Sequence, residues 1–172
     1  IEKNFDSLVP DPGKSTTADN EIKVSAEKVI TLIHTLITEM KVHEAIEETL
    51  QFIRGVNKYM EHRAPWKLVK NDKEAAGRVL YTAAEALRIG TLLLGPVMPH
   101  RTKIVLETFD VQTSELRWGG LKAGTRLKQH PPLFPRIDMK KGNNEDNTNT
   151  HGTFIDYEDF EKLGLKQQKY YP

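Results

Sequence analysis

Trp66 stands inside a run of cations. Between Arg54 and Lys70 lie Arg54, Lys58, Arg63, Lys67 and Lys70, against the single acid Glu61. Just upstream, Glu39, Glu44, Glu47 and Glu48 carry the opposite sign. An aromatic plane flanked by cations suits single-stranded nucleic acid. A base stacks on the ring, worth ~1–3 kcal/mol, and the cations hold phosphates. Ala64-Pro65 comes directly before Trp66 and gives a rigid corner on which such a plane can be fixed. The plainer accounts are also open at this point. A charge run is commonly a solvated helix face, and a large aromatic is most often a core anchor. Net charge is +1, so any nucleic-acid surface must be local rather than a property of the whole chain.

Two more polar residues sit beside this cluster. Asn57 follows Ile53 by four residues, which puts it about 40° away on a helix and inside the apolar stripe. It therefore reads as a buried amide that ties down the Pro65 corner, since an unpartnered buried amide is costly. Tyr59 and Arg63 are four apart and share a helix face, either as a recognition surface or as a local packing pair.

Other chemistry is thin. His34, His43, His62, His100, His130 and His151 show no metal-ligand spacing. No paired-carboxylate site can be placed, and WGG and GLKAG do not form a phosphate-binding glycine loop. There is no cysteine, which excludes a disulfide framework, a thiolate metal site and a thiol nucleophile. These residues assemble no catalytic site.

The elements that must position Trp66 are helical. Residues 1 to 21 read as the tail of one helix running into a polar loop, VPDPGKSTTADNE, which has little to bury. Val29, Ile33, Leu36, Ile37 and Met40 then recur at helical spacing. After a break near Met40 and Lys41, a second stripe runs through Val42, Ala45, Ile46, Ile53, Val56 and Met60 to Arg63. Pro65 pushes Ala64 out of helical geometry and opens a short new turn with Trp66 and Leu68. A third long helix, capped by Asn71 or Asp72, carries Ala76, Val79, Leu80, Ala83, Leu87 and Leu94 and ends at Gly95-Pro96. A fourth, short helix covers Pro99 to Phe109.

The expected fold class is all-α, an antiparallel helical bundle with an extended C-terminal segment. That segment, WGGLKAGTRLKQHPPLFPRI, wraps the bundle with Leu133, Phe134 and Ile137 as anchors. The bundle and its wrapping segment take residues 1–141. Residues 142–152, GNNEDNTNTHG, form a polar linker with no apolar residue, expected to be disordered. Residues 153–172 regain aromatics as a C-terminal tail. A chain of 172 residues suffices for one domain with a real core. No secretory signal is visible, and the longest uncharged apolar stretch, Ile89–Met98, is about half of the ~20 residues a membrane span needs. A soluble chain and no membrane partner are expected. The absent initiator methionine points to a fragment or a processed chain.

NKYMEHRAPWKL, followed by VLYTAAEALRIGTLLLGPVMPH, resembles the anticodon-binding domain of class I methionine-tRNA ligases. The matching segments are Asn57 and Tyr59, Ala64 to Leu68, Pro96 and Pro99, and Leu133 to Asp138, in order and at sensible spacing. The resemblance runs from about residue 1 to residue 140. It implies a domain that reads the CAU anticodon of tRNA(Met) by stacking Trp66 on the first anticodon base, with Pro65 shaping the corner. Arg63 and Lys67 become candidate phosphate or base-edge contacts, Lys58 and Lys70 weaker electrostatic ones, and Asn57 and Tyr59 structural support. It also implies an upstream catalytic domain of the same chain, which attaches methionine using ATP and admits a zinc site. None of that cofactor chemistry is expected in these residues. A cytoplasmic location follows from the same resemblance.

Two departures stand out. The family also reads the anticodon with an Asn-x-x-x-Arg on the helix that enters the bundle, and Ile1 to Phe5 resembles the end of that helix. FIDYEDFEKLGL resembles the opening of an appended OB-fold tRNA-binding module, but the continuation Gly164-Leu165-Lys166-Gln167 differs. The rival readings are the same bundle from another class I ligase and a helical protein-interaction domain with no RNA role. A stand-alone enzyme has the least support.

Overall fold

The structure, a computed structural model, describes residues 1–111 and 115–134. They belong to one compact unit, Ile1–Pro135. The linker and tail expected at 142–172, and the anchor expected at Ile137, lie outside the described residues. The element order is α1 (Thr17–Thr38), α2 (Val42–Arg63), α3 (Pro65–Leu68), α4 (Lys73–Leu94) and α5 (Pro99–Thr108).

Local chemistry sets most of these boundaries. Thr16 and Asp19 close a capping box at the start of α1. At its end, Lys41 N–H donates to Leu36 O at 2.8 Å and Met40 N–H to Ile37 O at 3.0 Å. This is the Schellman closure, with Met40 rather than glycine in the left-handed region at φ 61°. Asp72 caps α4 by accepting from Ala75 N–H at 2.9 Å. Gly95 stays right-handed at φ −50°, so the stop at this end comes from Pro96, not from a left-handed glycine.

α4 is the central element. Fourteen of its 22 residues are buried, against four in α1 and five in α2. It packs against α1, α2, α3 and α5. Its small residues permit this. A Cβ on Gly90 would lie 3.0 Å from Ile53 Cγ1, and one on Gly77 3.1 Å from Pro10 Cβ. One apolar cluster joins Ala26, Val29, Phe52, Val56, Ala86 and Ile89 of α1, α2 and α4. A second joins Val9, Tyr81, Ala84, Phe109 and Leu121.

Four expectations are corrected. Helix α1 begins at Thr17, inside the segment read as loop. The loop before it does bury a residue: Val9 is 1% exposed. Its N–H donates to Thr125 O and its carbonyl accepts from Gly124 N–H, beside an antiparallel bridge between Leu8 and Arg126. Ile37, Met40, Val42 and Leu87, expected in core stripes, are exposed because they lie at or beyond helix ends or at the margin of the stripe. Leu133 and Phe134 do not anchor the final segment. Leu133 is half-buried and Phe134 exposed, its ring lying 5.6 Å from the Arg101 guanidinium. Leu121, 3% exposed, takes that place with Leu127 packed against the same cluster, while Trp118 packs against the α1–α2–α4 cluster.

Candidate nucleic-acid interface

The corner that carries Trp66 is a single residue. Ala64 sits at φ 43°, ψ 59° and serves both as C-cap of α2 and as N-cap of α3. A residue before proline is disfavoured in the right-handed helical region, and Ala64 leaves it for the left-handed one. Its N–H still closes α2 on Met60 O at 2.9 Å, and its carbonyl accepts from Lys67 N–H at 2.8 Å. Pro65 at the first position of α3 lacks the N–H that would go unpaired there.

Burial divides the corner cleanly. Pro65 is buried, while Trp66 is 56% exposed. The plug of this corner is therefore Pro65, and the indole faces outward. Lys58, Lys67 and Lys70 are exposed around it, and none forms an ion pair among the described residues. Arg54 differs, because its Nη1 lies 2.8 Å from Glu47 Oε1. That pair draws Arg54 out of the basic run. Arg63 is half-buried in the last turn of α2, where a cation also favours the helix dipole.

The last turns of α2 also hold a polar network that the sequence does not announce. Asp19 is 3% exposed. Its Oδ1 accepts from the Tyr59 hydroxyl at 2.5 Å, and its Oδ2 from Thr16 N–H at 2.7 Å and Thr16 Oγ1 at 2.8 Å. Arg78 Nε stands 3.5 Å from the same Oδ2. Burial pushes the Asp19 carboxyl up, but the hydrogen bonds from Tyr59 and Thr16, with the Arg63 charge, outweigh it and hold the group below its ordinary value. Burial and the hydrogen bond to the charged Asp19 hold the Tyr59 phenol well above its ordinary range. The start of α1, the end of α2 and the first half of α4 are thereby joined near the α2 end that leads into Ala64.

Tyr59 is thus buried and bonded. Asn57, expected as a buried amide, is exposed. The spacing argument used Ile53 as its reference, and Ile53 itself lies at the margin of the stripe. The centre of the buried face runs through Thr49, Phe52, Val56 and Tyr59, and Asn57 is about 120° from it. Asn57 stands at the rim of an apolar hollow of about 400 Å³ lined by Ile53, Val56, Met60, Leu80 and Ala83. Among the described residues no three His, Cys, Asp or Glu side chains converge on a metal position. The missed members of the corner are Asp19, Thr16 and Arg78. The Thr-x-x-Asp spacing at 16–19 could have signalled two of them, as a helix start, but not Arg78.

Comparison with known proteins identifies the family and the fold. Residues 9–148 match the family model described as the anticodon binding domain of methionyl tRNA ligase. The methionine–tRNA ligase of Caldanaerobacter subterraneus subsp. tengcongensis is 33% identical over 96% of this chain and 29% of its own length. That of Thermotoga maritima is 31% identical over 98% of this chain and 28% of its own. The chain therefore spans under a third of the length of these relatives. The crystal structure of ligand-free Mycobacterium tuberculosis methionyl-tRNA synthetase superposes with a TM-score of 0.73 at 27% identity, covering 80% of this chain and 29% of that one. The same enzyme in complex with methionyl-adenylate gives 0.72 at 29% identity, covering 79% and 28%. The chain belongs to the family of anticodon-binding domains of methionyl-tRNA ligases.

Proposed function

We propose that this chain reads the CAU anticodon loop of tRNA(Met), with Trp66 as the stacking platform for an anticodon base. The observation that carries the reading is the split between Pro65 and Trp66. The proline is buried and fixes the turn, while the neighbouring indole is 56% exposed. An exposed indole on a rigid turn costs apolar exposure and gains nothing in folding, but it offers a base a preorganised plane. Arg63 and Lys67 contact RNA phosphate or base edges, and Lys58 and Lys70 add attraction at longer range.

In this reading the domain supplies specificity to a ligase that attaches methionine to its tRNA in the cytoplasm, as a step of protein synthesis. A catalytic domain in the same chain binds ATP and carries any zinc. Recognition at the Trp66 corner draws on neither. No helix among the described residues is long and apolar enough to cross a membrane.

The test is titration of the chain with a short RNA stem-loop carrying CAU against one carrying GAU, at two salt concentrations. Tighter binding to CAU, weakening with salt, is expected. Equal affinity for both loops would refute anticodon reading. Salt-independent binding of a protein partner without RNA binding would favour an interaction domain.

A further inference from the structure

The basic run does not end at Lys70. Lys67, Lys70 and Lys73 recur every three residues, from α3 through the turn to the first residue of α4. The Leu68 carbonyl accepts from Asn71 N–H at 2.9 Å and from Asp72 N–H at 2.7 Å, so the link is a tight turn and α4 starts beside α3. Lys73 is exposed and forms no ion pair among the described residues. Its partner is a ring instead: Nζ lies 5.3 Å from the centroid of Phe5. Phe5 is itself fixed. It is half-buried against α4, with its Cε1 3.2 Å from where a Cβ on Gly77 would stand, one turn beyond Lys73. Its N–H donates to Ile1 O at 2.8 Å, and its carbonyl accepts from Leu8 N–H at 2.7 Å. Helix stability does not account for Lys73, because a cation in the first turn opposes the macrodipole.

We propose that Lys73 is a further RNA-backbone contact and that Phe5 is its positioning residue, so that the phosphate path leaves Trp66 across α3 and the start of α4 toward the N-terminal segment. This rests on the reading of the Trp66 corner as the RNA contact. Ordering a lysine side chain on binding costs rotamer entropy. The contact with the Phe5 ring favours one placement of the ammonium before RNA arrives and lowers that cost. An ammonium carries three N–H donors, so one side can stay on the ring while another N–H meets a phosphate oxygen. Neither Lys67 nor Lys70 lies over a ring among the described residues. A phosphate contact carries no base identity, so Lys73 adds affinity and leaves the choice between CAU and another loop to Trp66.

The test is a double-mutant cycle on the full chain, read as affinity for the CAU and GAU stem-loops across salt concentrations. Lys73→Gln should weaken both loops by the same factor, roughly fivefold, and lower the slope of log affinity against log salt by about 1. Phe5→Leu should weaken binding roughly threefold with the slope unchanged, because the charge remains. In the Lys73→Gln background Phe5→Leu should cost almost nothing more, since its route to the RNA is gone. Phe5→Tyr, which keeps the ring, should bind as the wild type does. If Phe5→Leu loses helicity, Phe5→Met takes its place in the same cycle. A second arm needs no RNA: the Lys73 Cε protons should show an upfield ring-current shift by NMR that vanishes in Phe5→Leu. Binding that Trp66→Ala weakens, with affinity and salt slope unchanged in Lys73→Gln, would overturn the proposal and leave the Trp66 reading standing. An equal Phe5→Leu loss in both backgrounds, or no ring-current shift, would refute the positioning role of Phe5. No binding of either loop by the wild type would remove the Trp66 reading, and this proposal with it.

Discussion

Arg88 donates from Nε and Nη2 to the two carboxylate oxygens of Glu85, at 2.9 and 2.8 Å, one turn away on α4, with both side chains fully enclosed. The pair is also a clamp. The Glu85 carboxylate accepts from the N–H groups of Gly119, Gly120 and Leu121 at 2.7 to 2.9 Å. The Arg88 guanidinium donates to the carbonyls of Glu115 at 3.1 Å and Arg117 at 2.6 Å. Tyr81 adds its hydroxyl to Leu121 O at 2.9 Å. The irregular segment is therefore held by polar groups of the central helix as much as by apolar ones. Replacing Glu85 with Gln strips the buried guanidinium of its counter-charge. The expected cost is ~3–5 kcal/mol, read by urea unfolding. A loss below ~1 kcal/mol would show that the clamp is dispensable.

Two glycine substitutions should move stability in opposite directions. A Cβ on Gly120 would sit 2.6 Å from Arg88 Cζ, so Gly120→Ala must displace the clamp and should cost ~1–3 kcal/mol. Gly55 lies in the interior of α2 with nothing within 4 Å of the added methyl. Gly55→Ala should raise stability by up to ~1 kcal/mol through helix propensity. Thermal unfolding of both variants checks the pair, and the same sign for both would contradict the packing described.

Acid should act on the Asp19–Tyr59 network in a defined window. The folded-state pKa of Asp19 is depressed, so the stability it contributes is present above the ordinary carboxylate value of about 3.9 and is lost as pH falls through the folded value. Below pH 4, unfolding free energy should therefore fall more steeply in the wild type than in Asp19→Asn. Parallel curves for the two proteins would mean that the carboxylate is not held as described.

The helices were legible because their boundaries rest on local signals. Pro65, Asp72 and Gly95-Pro96 each act within a few residues, and the structure ends or begins elements at them. The Trp66 corner was legible for the same reason, its chemistry being compressed between Arg54 and Lys70. What escaped depended on distant partners. Nothing near Glu85 and Arg88 in sequence marks them as buried, because the groups that bind them lie at residues 115–121. Asp19 is forty residues from Tyr59, and an acid in a polar stretch defaults to the surface. Val9 was hidden in a proline-glycine stretch and is enclosed only because 124–127 runs alongside it. Asn57 was misplaced because a partly buried residue, Ile53, was taken as the centre of its face.

Cations in the basic run should not be equivalent. Lys67 is exposed and unpaired among the described residues, so Lys67→Gln should weaken loop binding and lower the slope of log affinity against log salt by about 1. Arg54 is paired with Glu47 at 2.8 Å, and Arg54→Gln should leave that slope nearly unchanged. Equal changes for both would place the RNA path along the whole of α2 rather than at the corner.

The most direct measurement compares the wild type with Trp66→Ala in binding the CAU stem-loop, alongside thermal unfolding. The account predicts an affinity loss of ~1–3 kcal/mol. The quenching of tryptophan fluorescence on binding should vanish, with half-buried Trp118 left as an unresponsive background. Stability should stay within ~0.5 kcal/mol, since the indole is 56% exposed. Unchanged affinity, or a variant that loses its helices, would contradict the central claim, because Trp66 would then be either a bystander or a part of the core.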